Sequence, residues 1–378
     1  MIRGKDLVTS LIIASEKAAR VARICRQNPH LLSLLVEEKT QEMDKNCRFV
    51  KDFKTLADVL VQQAIKYDLE REFSDLKGHV YGEESESFTN TNGDHVAVNL
   101  NEDDSNTFAI LRKVLDGDEE AANVLTKCVH SQVDIQDVPV QMFPSECGEL
   151  PIEEIAIWID PIDSTAEYIS GENTSVFVND SLRISLNGLN CVTVLIGVFN
   201  RITGEPIIGV INQPFYSFNA NVWQGRCFWG YSYRNNSSSS IPSNLSPSNG
   251  NIIAVSAVEK EENRKRLEDA GFTLISPAGA GFKILCVVLG QVSAYVLSYG
   301  STYFWDTCGC HAILKSLGGN ILNYDEAVKF DKLSDISYQE KNDTNNIKLY
   351  ANKGGIIASK DEGVIVKIVD ILKQTKTE

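Results

Sequence analysis

The stretch WIDPIDSTAEYISG, residues 158–171, sets Asp160 and Asp163 three positions apart, with Pro161 and Ile162 between them and an apolar run behind. A proline biases the preceding residue toward extended backbone and cannot donate to a sheet ladder, so the chain is expected to end its strand at Asp160 and turn. Both carboxylates and the Ile162 carbonyl could then present oxygen to one point, the donor set a hard divalent cation prefers. The same letters admit a plainer reading. Ser164, Thr165, Ala166 and Glu167 spell a capping box, in which case Asp163 and Ser164 merely start a helix.

Three further acidic positions bear on the choice. Glu83 and Glu84 are adjacent in YGEES; neighbours at a strand end point in different directions, so one could ligate while the other supports it, or both could be solvated. Asp58 sits among Leu56, Ala57, Val59 and Leu60, so it is either a buried acid that needs a partner or part of a polar helical stripe. Asp306 follows TYFW and precedes CGCHAILKSLGG, where a strand meets a helix, which makes capping the plain alternative. Nearby Cys308, Cys310 and His311 lack a second ligand pair for zinc, and core packing is the favoured reading. SPAGAGFK, residues 276–283, opens a helix whose amides and Lys283 could meet an anion, or whose glycines could serve tight packing. ANKGGIIA, residues 351–358, reads as a turn before a buried strand.

These residues need a sizeable scaffold, and 378 residues with 43% hydrophobic content supply one large domain or two packed ones. The formal charge of −15 disfavours nucleic acid, which wants a basic stripe. It does not exclude phosphate, because bound cations reverse the local sign. Nine cysteines without regular spacing fit reduced thiols in a cytoplasmic protein. The apolar run Leu11 to Ala14 is too short for a signal core or a membrane span, so no membrane association is expected.

Residues 5–70 read as helical with a short connection, and HVYGEES as a strand ending in acid. Residues 90–147 are polar, with one helical stretch at DEEAANVLTKCVHSQV, and suggest a lid or an insertion. VTVLIGVFN and EPIIGVINQPF flank the turn signal RITG. The Ser-, Asn- and Pro-rich segment 234–251 is the best boundary. It divides an N-terminal α+β subdomain, 1–233, from a C-terminal α/β subdomain, 252–378. In the latter, IIAVSAV and the LSYGSTYF region read as strands, with helices at KEENRKRLEDAG, AGFKILCVVLGQ and CHAILKSLGG. The alternation predicts a layered α/β or α+β protein.

Taken together, KTLAD, GEES, DPIDST and WDTCGCHAI occur in the order and form of the lithium-sensitive, magnesium-dependent phosphomonoesterase superfamily, which the chain resembles. That superfamily includes inositol monophosphatase, fructose-1,6-bisphosphatase and bisphosphate nucleotidase. From residue 14 to about 359 the chain is most similar to its inositol polyphosphate 1-phosphatase branch. Ser164, where other branches usually carry glycine, is part of that likeness. The resemblance implies an α/β/α/β/α sandwich with its site in a cleft between subdomains. It implies one magnesium ion on Glu83, Asp160 and the Ile162 carbonyl, and a second on Asp160, Asp163 and Asp306. A weaker third would lie on Asp58 with Glu83 or Glu84. It implies that Thr165, hydrogen-bonded to Asp58, orients the attacking water, with Asp58, Thr165 and Glu84 as the catalytic set. The substrate would meet Asp163, Ser164, Thr165, Lys260, Gly279, Ala280, Lys283 and Asp306. Val258 and Ala166 depart from the pattern and put one substrate hydrogen bond in question. The expected reaction is removal of the 1-phosphate from inositol 1,4-bisphosphate and inositol 1,3,4-trisphosphate by a monomer inhibited by Li+. A 3'(2'),5'-bisphosphate nucleotidase and a silent inositol phosphate binder are the rival readings.

Overall fold

The computed structural model describes residues 1–27, 36–38, 53–145, 147–177, 182–242, 251–341 and 346–373. Helix α1 (Gly4–Gln27) buries Leu7, Leu11, Ala14, Ala18, Val21, Ala22 and Cys25, the three-to-four spacing of one helical face. Asp6 in its first turn and Arg26 in its last complement the helix dipole. The helical reading of 5–70 needs correction. Val36–Glu38 and Phe53–Thr55 pair as antiparallel strands, and α2 (Leu56–Glu72) starts only after them. Thr55 sets that boundary: its hydroxyl accepts the Asp58 N–H, and the Asp58 carboxylate accepts the Thr55 N–H.

Residues 90–147 carry α3 (Asp104–Val114) and α4 (Glu119–His130), each capped by an aspartate at the preceding position. The α4 helix packs on α1, so this region thickens the outer helical layer and gives no residue to the large cleft described below.

A six-stranded sheet underlies these helices. It consists of β1 (Val80–Gly82), β2 (Ile155–Asp163), β3 (Thr193–Asn200), β4 (Pro206–Asn219), β5 (Val222–Tyr233) and β6 (Asn236–Ser239), in the spatial order β6-β5-β4-β3-β2-β1. Every pair is antiparallel except β1 with β2. Asn236–Ser239, read in sequence as linker, is therefore an edge strand: its alternating backbone pairs with β5 even though its side chains are polar, two of them exposed and two half-buried. Residues 243–250 of that segment lie outside the described residues.

The second sheet holds β7 (Ile252–Val255), β8 (Thr273–Ile275), β9 (Ala294–Leu297), β10 (Asn320–Asn323) and β11 (Ile356–Ser359), ordered β8-β7-β9-β11-β10. Between the sheets lie α7 (Ala280–Val288) and α8 (Phe304–Ser316). On the far face lie α6 (Glu261–Asp269), α9 (Tyr324–Phe330) and α10 (Glu362–Lys373), joined to the sheet by Ile253, Leu267, Ile357 and Ile368. The architecture is the expected α/β/α/β/α sandwich. The strand expected around LSYGSTYF is shorter than read. It stops at Leu297, and residues 298–303 form a loop.

A row of glycines seats α8. Gly197, Gly209 and Gly230 are cross-strand partners on β3, β4 and β5. A Cβ on Gly209 would fall 1.8 Å from the Gly309 carbonyl oxygen, and one on Gly309 would fall 2.5 Å from the Ile196 carbonyl oxygen. Only hydrogen fits at this crossing, so helix and sheet touch backbone to backbone. That contact fixes the depth of the helix whose first turn holds Asp306.

Candidate active site

Strand β2 does not end at Asp160 but runs to Asp163, a correction with a clear cause. Asp160 pairs with Leu195 and Asp163 with Thr193, so three steps on β2 match two on β3. The extra residue is a β-bulge, which tolerates the proline's missing N–H. It also sets the chemistry. In a regular strand residues three apart face opposite sides; here the bulge turns both aspartates to the face where Leu195 and Thr193 lie. Thr193 Oγ1 donates to Asp163 Oδ2 at 3.1 Å, and the Gly281 N–H donates to the same oxygen at 2.9 Å.

The capping box read at Ser164 is not formed. Ser164 adopts the left-handed conformation (φ 74°, ψ 50°) and makes no side-chain cap to α5 (Thr165–Ser170). That conformation costs a non-glycine residue about 1–2 kcal/mol, and it swings Thr165 back toward the sheet end. The Thr165 hydroxyl lies 3.2 Å from the Ile162 carbonyl oxygen and 3.4 Å from Asp58 Oδ1 as a donor to both. Asp58 is buried, not part of a polar stripe. Its Oδ2 accepts the Thr55 N–H at 2.6 Å and the Thr55 hydroxyl at 2.5 Å, which leaves Oδ1 toward Thr165.

Helix α7 begins at the predicted glycine-rich stretch. Gly279 has φ +76°, and a Cβ there would meet Ser164 Oγ at 2.6 Å and Asp163 Oδ2 at 2.8 Å. Lys283, one turn on, is buried; its ammonium donates to the Gly279 carbonyl at 2.9 Å and sits 5.4 Å from the Tyr295 ring centre. Asp306 is at the third position of α8 rather than its N-cap, and its carboxylate accepts the Tyr303 N–H at 2.5 Å.

One carboxylate oxygen from each of Asp160, Asp163 and Asp306 lies within 4.8 Å of the others. Burial, then the negative charges of Glu83, Asp163, Asp306 and Asp58, push the Asp160 carboxyl well above its ordinary range. Burial also raises Asp163, against the pull of Lys283, Thr193 and the Gly281 amide. Asp160 Oδ1 is buried with no hydrogen-bond partner among the described residues. A bare orphan oxygen among like charges is costly, and a shared cation removes both costs, so these donors fit a hard divalent ion.

These groups open on a cleft of about 390 Å³, lined by Glu83, Asp160, Ile162, Asp163, Ser164 and Thr165 on one side and by Gly279, Ala280, Lys283 and Asp306 on the other. Glu84 is not part of that lining. It is buried, its N–H donates to Gln62 Oε1 at 2.9 Å, and it lines a separate cavity behind, with Trp158, Trp305 and Tyr350. Lys260 is exposed at the start of α6, its ammonium 5.4 Å from the Tyr299 ring centre, and is absent from the cleft lining. The zinc alternative falls away, because the His311 nitrogens engage the Tyr338 hydroxyl at 3.1 Å and Asn320 Oδ1 at 2.7 Å. Sequence reading missed Asn187, Ser276, Thr302 and Tyr303 on the lining, and used Glu167 only as a capping letter. Loop residues carry no periodic signal, so nothing marked Asn187, and SPAGAGFK and TYFW contain the other three without giving them a role; an acid two positions past Thr165 was a usable sign.

Residues 114–373 match the model of the inositol monophosphatase family. An inositol polyphosphate 1-phosphatase of Mus musculus is 39% identical over 376 residues, covering 93% of each chain. Its Homo sapiens counterpart is 38% identical over 395 residues, covering 98% of this chain and 97% of that one. Among solved structures, an IMPase/NADP phosphatase complexed with NADP and Ca2+ superposes with a TM-score of 0.55 at 13% identity, over 99% of this chain and 98% of that chain.

Proposed function

The chain belongs to the inositol monophosphatase family, and from that premise we propose that it removes the 1-phosphate from inositol 1,4-bisphosphate and inositol 1,3,4-trisphosphate, with water as acceptor. The observation that carries the reading is the convergence of Asp160, Asp163 and Asp306 beside Thr165 in one cleft. Glu83, Asp160 and the Ile162 carbonyl would hold one magnesium ion, and Asp160, Asp163 and Asp306 a second. Asp58, with Glu83 or Glu84, would hold a weaker third. Such ions supply Lewis acidity toward phosphoryl oxygen and a more acidic water.

The chain's own residues do the rest. The single Thr165 O–H is directed as a hydrogen-bond donor toward Asp58 Oδ1 and the Ile162 carbonyl, so the lone pairs of the Thr165 oxygen are left to accept from a water and orient it for in-line attack. Lys283, close enough to temper Asp163, lends positive charge to the phosphoryl group. The Gly279–Gly281 backbone brings α7 against Asp163 and Ser164, where ring hydroxyls and phosphate would lie. Lys260 would join only by reaching across from α6. No helix among the described residues is long and apolar enough to cross a membrane. The eight described cysteines are unbridged, which supports a reducing cytoplasmic setting.

Phosphate release should be measured with and without Mg2+ on both inositol substrates, inositol monophosphate, adenosine 3',5'-bisphosphate and fructose 1,6-bisphosphate. The reading predicts Mg2+-dependent release that favours the two inositol polyphosphates and is suppressed by millimolar Li+. Preference for the adenosine compound would transfer the assignment to a nucleotidase, and no release from any would leave a binder.

A further inference from the structure

Five carboxylates line the cleft, and four of them are engaged by the cation reading. The fifth, Glu167, stands outside the converging cluster. It lies in α5, two residues past Thr165, half-buried, on the cleft side that also carries Leu186 and Asn187. Its Oε2 is pinned by the Gly188 N–H at 2.5 Å, while Oε1 takes no hydrogen bond from any described residue. Gly188 has φ +80°, and a Cβ there would strike the Glu172 carbonyl, so the loop that holds the carboxylate is itself tightly placed. Lys283 is the one cation among the described lining residues, where it tempers Asp163, and no described residue forms a salt bridge with Glu167.

A fixed carboxylate with a spare oxygen makes a charge-assisted hydrogen bond to a hydroxyl but repels a phosphate, and in a half-enclosed cleft that repulsion is only partly screened. Resting on the inositol polyphosphate reading above, we propose that Glu167 is a specificity-determining residue. It accepts a ring hydroxyl of the substrate and disfavours a phosphate at the position that faces it, so the bisphosphate is preferred over the trisphosphate. The recognition lies in the leaving alcohol, away from the phosphorus under attack.

The test compares kcat/KM for inositol 1,4-bisphosphate and inositol 1,3,4-trisphosphate in the wild-type enzyme, Glu167→Gln and Glu167→Asp. The glutamine retains a carbonyl for the Gly188 N–H, and a ratio of two substrates on one preparation is insensitive to the folded fraction. Wild type should favour the bisphosphate. Glu167→Gln should shift the ratio toward the trisphosphate by about tenfold, and Glu167→Asp, which keeps the charge, by less than about threefold. Raising ionic strength should narrow the ratio in wild type and leave it flat in Glu167→Gln, a response that a purely structural role would not give. An unchanged ratio in Glu167→Gln, or a wild type that favours the trisphosphate, overturns the proposal while the function stands. Turnover of neither substrate overturns the function, and this proposal with it.

Discussion

Thr165 is the residue on which the chemical reading turns, because its hydroxyl is held by Asp58 and the Ile162 carbonyl at the mouth of the acidic cluster. Thr165→Ala should lower kcat by about 10²–10⁴ with KM changed only a few-fold, while Thr165→Ser should restore most of the rate; steady-state kinetics of the pair decides it. Equal losses in both variants would mean that the methyl group, not the hydroxyl, is what matters. The acids at positions 160, 163 and 306 each admitted a plain reading as a helix start or cap, and their occurrence in order with KTLAD and GEES, as in the superfamily the chain resembles, is what singled them out. The geometry that joins them was not legible. A proline between two aspartates announced a break in pairing, yet the break is a one-residue bulge that turns both side chains to one face. Ser164 shows the same limit from the other side: its letters spell a cap, and its left-handed backbone makes none.

Helix α8 links packing to the site, since its first turn carries Asp306 and its middle rests on the glycine row of the large sheet. Gly309→Val should destabilise the fold by about 3 kcal/mol through overpacking and lower activity through displaced Asp306, read by thermal melting and kcat/KM together. A variant that melts and turns over like wild type would show that the crossing has slack. His311, in the same helix, gives a pH signature. Burial chiefly, with Lys315 adding and Asn320 opposing, lowers its pKa to about 4 from an ordinary 6.5. The unfolded chain then takes a proton near pH 6.5 and the folded one only near 4. The stabilisation is full above pH 6.5 and is lost as pH falls through that window. His311→Gln should flatten the melting-temperature decline between pH 7 and 5; parallel profiles would contradict this. Helix periodicity and the hairpin at RITG were legible, whereas the strands at 36–38 and 53–55 were not. Three-residue strands have too few positions to display alternation.

At the scale of the whole molecule, the cleft exists because the chain lays two sheets on either side of α7 and α8 and lets loops from both meet at one end. Strand and helix patterning gave a layered α/β or α+β protein, since each amphipathic face has to be covered, and the order of the layers came from the resemblance. Neither gave the edge strand 236–239, because its pairing comes from backbone and its side chains are those of a linker. The central claim is that the Asp160–Asp163–Asp306 convergence carries a cation-dependent removal of the 1-phosphate. The most direct measurement is product analysis of inositol 1,4-bisphosphate turnover by wild type and Asp160→Asn, with and without Mg2+, on protein whose melting is checked in parallel. The account predicts inositol 4-phosphate from wild type only with Mg2+, and a loss of at least about a thousandfold in folded Asp160→Asn. Formation of inositol 1-phosphate, or an Asp160→Asn variant within a few-fold of wild type, would contradict it.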